Sequence, residues 1–285
     1  MSGYVDRFWQ SSDGLRLHAR DYAAAPGPAR LPVFCLHGLT RNARDFGMLA
    51  PHLAGLGRRV LAIDVRGRGL SDWARPETYQ LPFYAEDVAR LAEALGIGAA
   101  IFIGTSMGGL ITMELAGRSP ALIRSAIIND VGPRLSDRGL ARIAGYVGKS
   151  APVATWGEAA DHLRALNADA LPHYGPEDWR LMAERMYREI GGRLLADYDP
   201  AIALPFTSKP LVTDPQQRWA DLAGARPILL LRGDRSDLLD PDAAEEMVAG
   251  RPDATLASVA NVGHAPMLDE PDALDAIGCF LDRQP

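Results

Sequence analysis

Ala100-Ile101-Phe102-Ile103-Gly104-Thr105-Ser106-Met107-Gly108-Gly109 is the stretch that decides the fold. Its first four residues read as a buried strand, and helical periodicity begins just after Ser106. Between them stands a Gly-x-Ser-x-Gly turn, in which the glycines two before and two after the serine let strand and helix approach closely. Gly109 extends that clearance. The serine side chain is then held out at the C-terminal edge of a sheet, and the start of the helix offers backbone N–H groups to a developing negative charge. A bare Gly-x-Ser-x-Gly also arises by chance. The strand before it and the helix after it make Ser106 a candidate nucleophile.

Outward from this turn, short aliphatic runs alternate with helical patterns, which predicts a mostly parallel α/β sheet covered on both faces. Tyr4 to Trp9 and Leu15 to Tyr22 flank Ser12-Asp13-Gly14 as an opening antiparallel hairpin. Strands are expected at Val33 to Leu36, Val60 to Ile63, Ser125 to Ile128, Pro227 to Leu231 and Thr255 to Val259. Helices are expected at about Ala43 to Leu56, Phe83 to Leu95, Pro241 to Ala249 and Asp272 to Leu281. From Gly132 to Asp221 the pattern changes to amphipathic stretches such as Trp156 to Leu166 and Glu177 to Glu189, with no convincing strand. The expected organisation is a core of residues 1–131 and 222–285 interrupted by a helical cap of residues 132–221.

At 285 residues and 47% apolar composition, the chain is long enough for such a core plus an insert. A net charge of −6 with no basic run argues against a nucleic-acid partner. The apolar runs are far shorter than the roughly 20 residues that cross a bilayer, and the N-terminus lacks the pattern of a secretory signal. A soluble cytoplasmic protein with no membrane partner is expected. The two cysteines, Cys35 and Cys279, belong to no cluster with metal spacing and are read as buried free thiols.

A serine hydroxyl needs an imidazole within hydrogen-bond reach to act as a nucleophile. Of six histidines, His264 lies in Asn261-Val262-Gly263-His264-Ala265-Pro266, between the last strand and the last helix and on the same rim as Ser106. His18, His52, His162 and His173 read as surface or packing residues. His37, directly before Gly38, is read as holding a loop through hydrogen bonds. The imidazole needs a carboxylate to fix its tautomer. Asp237, in Gly233-Asp234-Arg235-Ser236-Asp237 after the penultimate strand, is preferred. Asp130, at the end of Ile127-Ile128-Asn129-Asp130, is the rival, and Asp234 is a third candidate.

His37-Gly38-Leu39-Thr40 follows a buried strand, and the backbone N–H groups of Leu39 and Met107 are the expected donors of an oxyanion hole. Together with Asp64-Val65-Arg66-Gly67-Arg68-Gly69-Leu70-Ser71, the Ser106 turn, Gly233 to Asp237 and Gly263-His264, this pattern resembles the α/β-hydrolase superfamily. More narrowly, it resembles the capped branch that includes carboxylesterases, enol-lactonases, carbon–carbon bond hydrolases and acetamidomethylene-succinate hydrolases. The last of these carry their acid after the strand that follows the nucleophile helix, which keeps Asp130 in contention. Epoxide hydrolases and haloalkane dehalogenases carry an aspartate where this chain has Ser106.

The resemblance implies an eight-stranded sheet with the cap inserted after the sixth strand, and acyl transfer from a small ester or lactone to water without metal or cofactor. The alternatives are a carbon–carbon bond hydrolase and a small-molecule receptor with little turnover. Tyr146, Trp156, Tyr174, Trp179, Met182, Met186 and Tyr187 are candidates to line an apolar pocket. Arg41 and Asn42, next to the oxyanion loop, are candidates to meet a substrate carboxylate, a solvated loop-ordering arginine being the alternative.

Overall fold

A computed structural model describes residues 3–206, 214–224 and 226–285. The chain opens with the antiparallel strands β1 (Val5–Gln10) and β2 (Arg16–Tyr22), then β3 (Val33–Leu36), α1 (Leu49–Gly55) and β4 (Val60–Asp64). α2 (Leu81–Ala94), β5 (Ala100–Thr105), α3 (Met107–Arg118) and β6 (Ile123–Asn129) follow. The insert holds α4 (Asp137–Tyr146), α5 (Trp156–Asn167), α6 (Pro176–Met186), β7 (Tyr187–Ile190) and β8 (Arg193–Ala196). α7 (Pro215–Ala223), β9 (Ile228–Gly233), α8 (Pro241–Val248), β10 (Ala254–Val259) and α9 (Pro271–Leu281) complete the chain.

Eight strands form one sheet in the order β1-β2-β4-β3-β5-β6-β9-β10. Only the β1/β2 and β2/β4 pairs in it are antiparallel. β3, β4 and β9 are buried along their whole length, as strands covered on both faces must be. The strand period of two then divides their side chains between two cores. Phe34, Leu36, Phe102, Ile128 and Leu230 pack on one face, and Val33, Cys35, Ile103, Ile127 and Leu231 on the other. β3 lies between β4 and β5. The winding therefore reverses beside β3, which opens a crevice beyond the carboxyl ends of β3 and β5. The His37-Gly38 turn and Ser106 stand at that crevice.

Three expectations are corrected. The helix predicted from Ala43 to Leu56 is a 3-10 turn, Ala43–Phe46, followed by the separate α1, because Gly47 N–H closes back on Arg44 O at 3.0 Å. The insert contains a hairpin: α6 stops at Met186, and β7 pairs antiparallel with β8 across Gly191-Gly192, both at positive φ. Two glycines between four-residue runs are a hairpin signal that the helical reading overrode. Cys279 is exposed, because α9 turns Ala273, Ile277, Phe280 and Leu281 to the core and leaves Cys279 on the other side.

Leu163, Trp179, Met182, Met186, Tyr187 and Leu194 of the insert pack with Val262 and Met267, which flank His264 in sequence. The expected cap, residues 132–221, includes 207–213, which lie outside the described residues. No helix among the described residues is long and apolar enough to cross a membrane.

Candidate active site

Ser106 separates β5 from α3 and holds φ 51° and ψ −116°, a conformation that few residues other than glycine adopt. Its surroundings enforce it. A methyl group on Gly104 would come 2.5 Å from the Gly108 carbonyl carbon, and one on Gly108 would run into the Leu36 carbonyl. Strand and helix thus meet backbone to backbone. Ser106 N–H donates to Asn129 O at 2.9 Å, which carries the β5/β6 ladder into the turn.

Ser106 Oγ lies 2.9 Å from His264 Nε2, and His264 Nδ1 lies 2.8 Å from Asp130 Oδ2. A carboxylate at Nδ1 fixes the proton there and leaves the Nε2 lone pair to accept the serine proton. Asn129 steadies the histidine loop by donating from Nδ2 to Pro266 O at 2.8 Å. The Asp130 carboxylate is fully buried and accepts two further bonds, from Gly233 N–H at 3.1 Å and Ser236 Oγ at 2.7 Å.

The carboxylate that meets His264 is therefore Asp130, and not Asp237, which the sequence preferred. Asp130 ends the strand beside the one that carries Ser106, whereas Asp237 follows β9, one strand farther away. Arg142 of α4 also takes both oxygens of Asp237, at 2.6 and 2.8 Å, and its guanidinium holds that carboxyl below the usual range. Asp234 is exposed. Ser236, overlooked in the sequence, is the loop residue whose hydroxyl reaches the Asp130 carboxylate.

His37 is wholly buried, and burial pushes its pKa down to about 4. The neutral ring accepts Val65 N–H at Nε2, 3.1 Å, so the proton sits on Nδ1 and is donated to Gly38 O at 2.7 Å. Arg41 N–H donates to the same carbonyl at 3.1 Å. With the carbonyl held, the trans peptide turns Leu39 N–H the opposite way. Arg68, also buried, fixes the next carbonyl by donating from Nε to Leu39 O at 3.0 Å. Met107 begins α3, so its N–H is one of the first-turn donors without an intrahelical acceptor.

A pocket bounded by Ser106, His264, Leu39 and Arg41 extends under the insert, where Tyr146, Met182, Met186 and Tyr187 form part of its wall. Trp156, Tyr174 and Trp179 are not in that wall. Tyr174 and Trp179 pack ring against ring, 5.0 Å apart, and Trp156 lies under the Arg180 guanidinium. Asn42 is also corrected: it is buried, caps the 3-10 turn through Arg44 N–H and donates to Arg185 O at 2.9 Å. Asp45, Ser150 and Asn167 are polar wall residues that the sequence did not single out, and Thr40 of the oxyanion-loop stretch and His162, expected as a surface or packing residue, join them. Only the packing of the insert identifies them. Among the described residues no group of three His, Cys, Asp or Glu is placed to hold a metal ion.

A family model described as the alpha/beta hydrolase fold matches residues 32–271. A 3-hydroxybutyrate-oligomer hydrolase of Cupriavidus necator is 35% identical, with 93% of each chain covered. A 2-(acetamidomethylene)succinate hydrolase of Mesorhizobium japonicum is 29% identical over 94% of this chain and 92% of its own. Among solved structures, an alpha/beta hydrolase from Novosphingobium aromaticivorans superposes with a TM-score of 0.92 at 46% identity, covering 99% of each chain.

Proposed function

Because the chain belongs to the alpha/beta-hydrolase family, we propose that it is a serine hydrolase that cleaves a carboxylic ester of a small organic acid through an acyl-enzyme on Ser106. The observation that carries this reading is the unbroken hydrogen-bonded line from buried Asp130 through His264 to Ser106 Oγ, opening on the pocket. His264 takes the hydroxyl proton as Oγ attacks the ester carbonyl, and Asp130 stabilises the imidazolium that forms. Leu39 and Met107 N–H receive the charge that develops on the carbonyl oxygen, each worth about 3 kcal/mol in the transition state. His264 then protonates the departing alkoxide, and a water activated by the same imidazole releases the acid. The described part of the insert, from α4 to β8, acts as a cap over the pocket that holds the nucleophile.

The C. necator relative makes esters of short hydroxy acids the first substrates to try. A fluorophosphonate should label Ser106, the Ser106→Ala variant should not label, and 4-nitrophenyl butyrate should show an acyl-enzyme burst. Intact protein that neither labels nor releases product from any ester in a chain-length series would refute the reading.

A further inference from the structure

Arg41 is the only arginine or lysine in the pocket wall among the described residues, and its bonding differs from that of the arginines around it. A methyl group on Gly38 would touch both Arg41 Cγ, at 3.6 Å, and Ser106 Cβ, at 3.7 Å, so the two side chains rise from the same floor. Nε of Arg41 donates to Asp45 Oδ2 at 2.8 Å. Nη1 and Nη2 point instead at thioethers, Met186 Sδ at 2.8 Å and Met267 Sδ at 2.7 Å. A thioether is a weak acceptor. The outer edge of the guanidinium is thus withdrawn from bulk water without receiving a strong partner in exchange.

Three neighbouring arginines are held chiefly by oxygen, with Arg68 Nη2 adding one longer contact to Met107 Sδ at 3.5 Å. Arg44 donates to Arg185 O and Asp197, Arg68 to Leu39 O and Arg66 O, and Arg142 to both oxygens of Asp237. These three tie loops together. In Arg41 the two-nitrogen edge that matches a carboxylate bidentately meets, among the described residues, only the Met186 and Met267 thioethers, which line the pocket with it. Its charge is felt within the pocket: burial pushes the Tyr146 phenol up, and the charges of Arg142 and then Arg41 work against that push.

We propose that Arg41 receives a free carboxylate on the substrate through Nη1 and Nη2, so that the enzyme selects short esters bearing a carboxylate over their neutral counterparts. The inference rests on the hydrolase reading of the site and assigns its substrate class. Asp45 keeps the guanidinium oriented through Nε, and Met186 and Met267 hold its open edge on a soft surface that an incoming carboxylate displaces at little cost.

The test compares monomethyl glutarate with dimethyl glutarate. Wild type should favour the monoanionic ester in kcat/KM by about tenfold to a hundredfold, the range expected of charge-assisted hydrogen bonds. Arg41→Gln should collapse that ratio toward one, chiefly through KM for the acid, and Arg41→Lys should restore part of it. Calorimetry of glutarate binding to Ser106→Ala, with and without Arg41→Gln, reads the same contact without turnover and should show at least about a tenfold loss. A wild-type ratio near one, a ratio unchanged by Arg41→Gln, or equal glutarate affinity in the two calorimetric variants overturns the proposal. Loss of fluorophosphonate labelling at Ser106 would instead strike the hydrolase reading, while calorimetry still decides what Arg41 binds.

Discussion

The Asp130 carboxylate approaches His264 Nδ1 to 2.8 Å, while both oxygens of the Asp237 carboxylate are taken by Arg142. Asp130→Asn should therefore favour the wrong imidazole tautomer and lower kcat by about 10⁴-fold. Asp237→Asn removes only a partly exposed ion pair and should cost about 1 kcal/mol of stability. Steady-state kinetics on both variants decide the matter, and the assignment is lost if Asp237→Asn suffers the larger fall in kcat.

Ser236 makes a smaller prediction from the same carboxylate. Its hydroxyl donates to Asp130 Oδ2 and accepts Leu238 and Leu239 N–H at 3.3 and 3.2 Å. Ser236→Ala removes a hydrogen bond to a charged group, so kcat should fall by about tenfold and stability by about 1–2 kcal/mol. Ser236→Thr, which keeps the hydroxyl, should recover most of the kcat loss. Parallel assays and urea unfolding curves of the two variants test this.

The meeting of Ser106 with His264 was legible in the sequence because each stands beside a local signal, a glycine-flanked strand-to-helix turn and a loop between the last strand and the last helix. The carboxylate beside His264 was not, because local pattern places both Asp130 and Asp237 at strand ends. Which of them faces the imidazole depends on strand order and on Arg142, which reaches Asp237 from a distant helix. The insert was least legible. Trp156 and Tyr187 are equally plausible pocket aromatics by type, and only the packing of α5, α6 and the β7/β8 hairpin sends one away from the cavity and the other into it.

The two glycines after the nucleophile should differ in how far they tolerate substitution. A methyl group on Gly108 meets the Leu36 carbonyl, part of a buried strand that has no room to move, whereas one on Gly109 meets Val131 Cγ1 at 2.5 Å. Gly108→Ala should cost about 3 kcal/mol or more and displace the turn, while Gly109→Ala should cost about 1–2 kcal/mol as the valine shifts. Thermal unfolding of both variants should reproduce that order. An equal loss in the two would mean that backbone contact between β3 and α3 does not set the tolerance.

His37 should make the fold sensitive to acid. Its folded pKa is about 4 because the buried ring is kept neutral, whereas an imidazole in the unfolded chain protonates near 6.5. Between those values the unfolded chain binds the additional proton, so the contribution of His37 to stability declines as pH falls from 6.5 toward 4 and is level above 6.5. The loss amounts to about 3 kcal/mol across the window. Asp87 acts in the opposite sense, because burial pushes its carboxyl up to about 6 and favours its protonated form in the folded chain. The readout is therefore the difference between wild type and His37→Asn. Asparagine has no proton to gain and keeps an N–H near Gly38 O, but it leaves Val65 N–H unpaired. At pH 7 the variant should be less stable by about 1–3 kcal/mol. Toward pH 4 the gap should narrow, since the wild-type ring alone loses ground. Urea unfolding at intervals between pH 4 and 7 measures the gap directly, and a gap that stays constant would show that the ring does not remain neutral for the reason given.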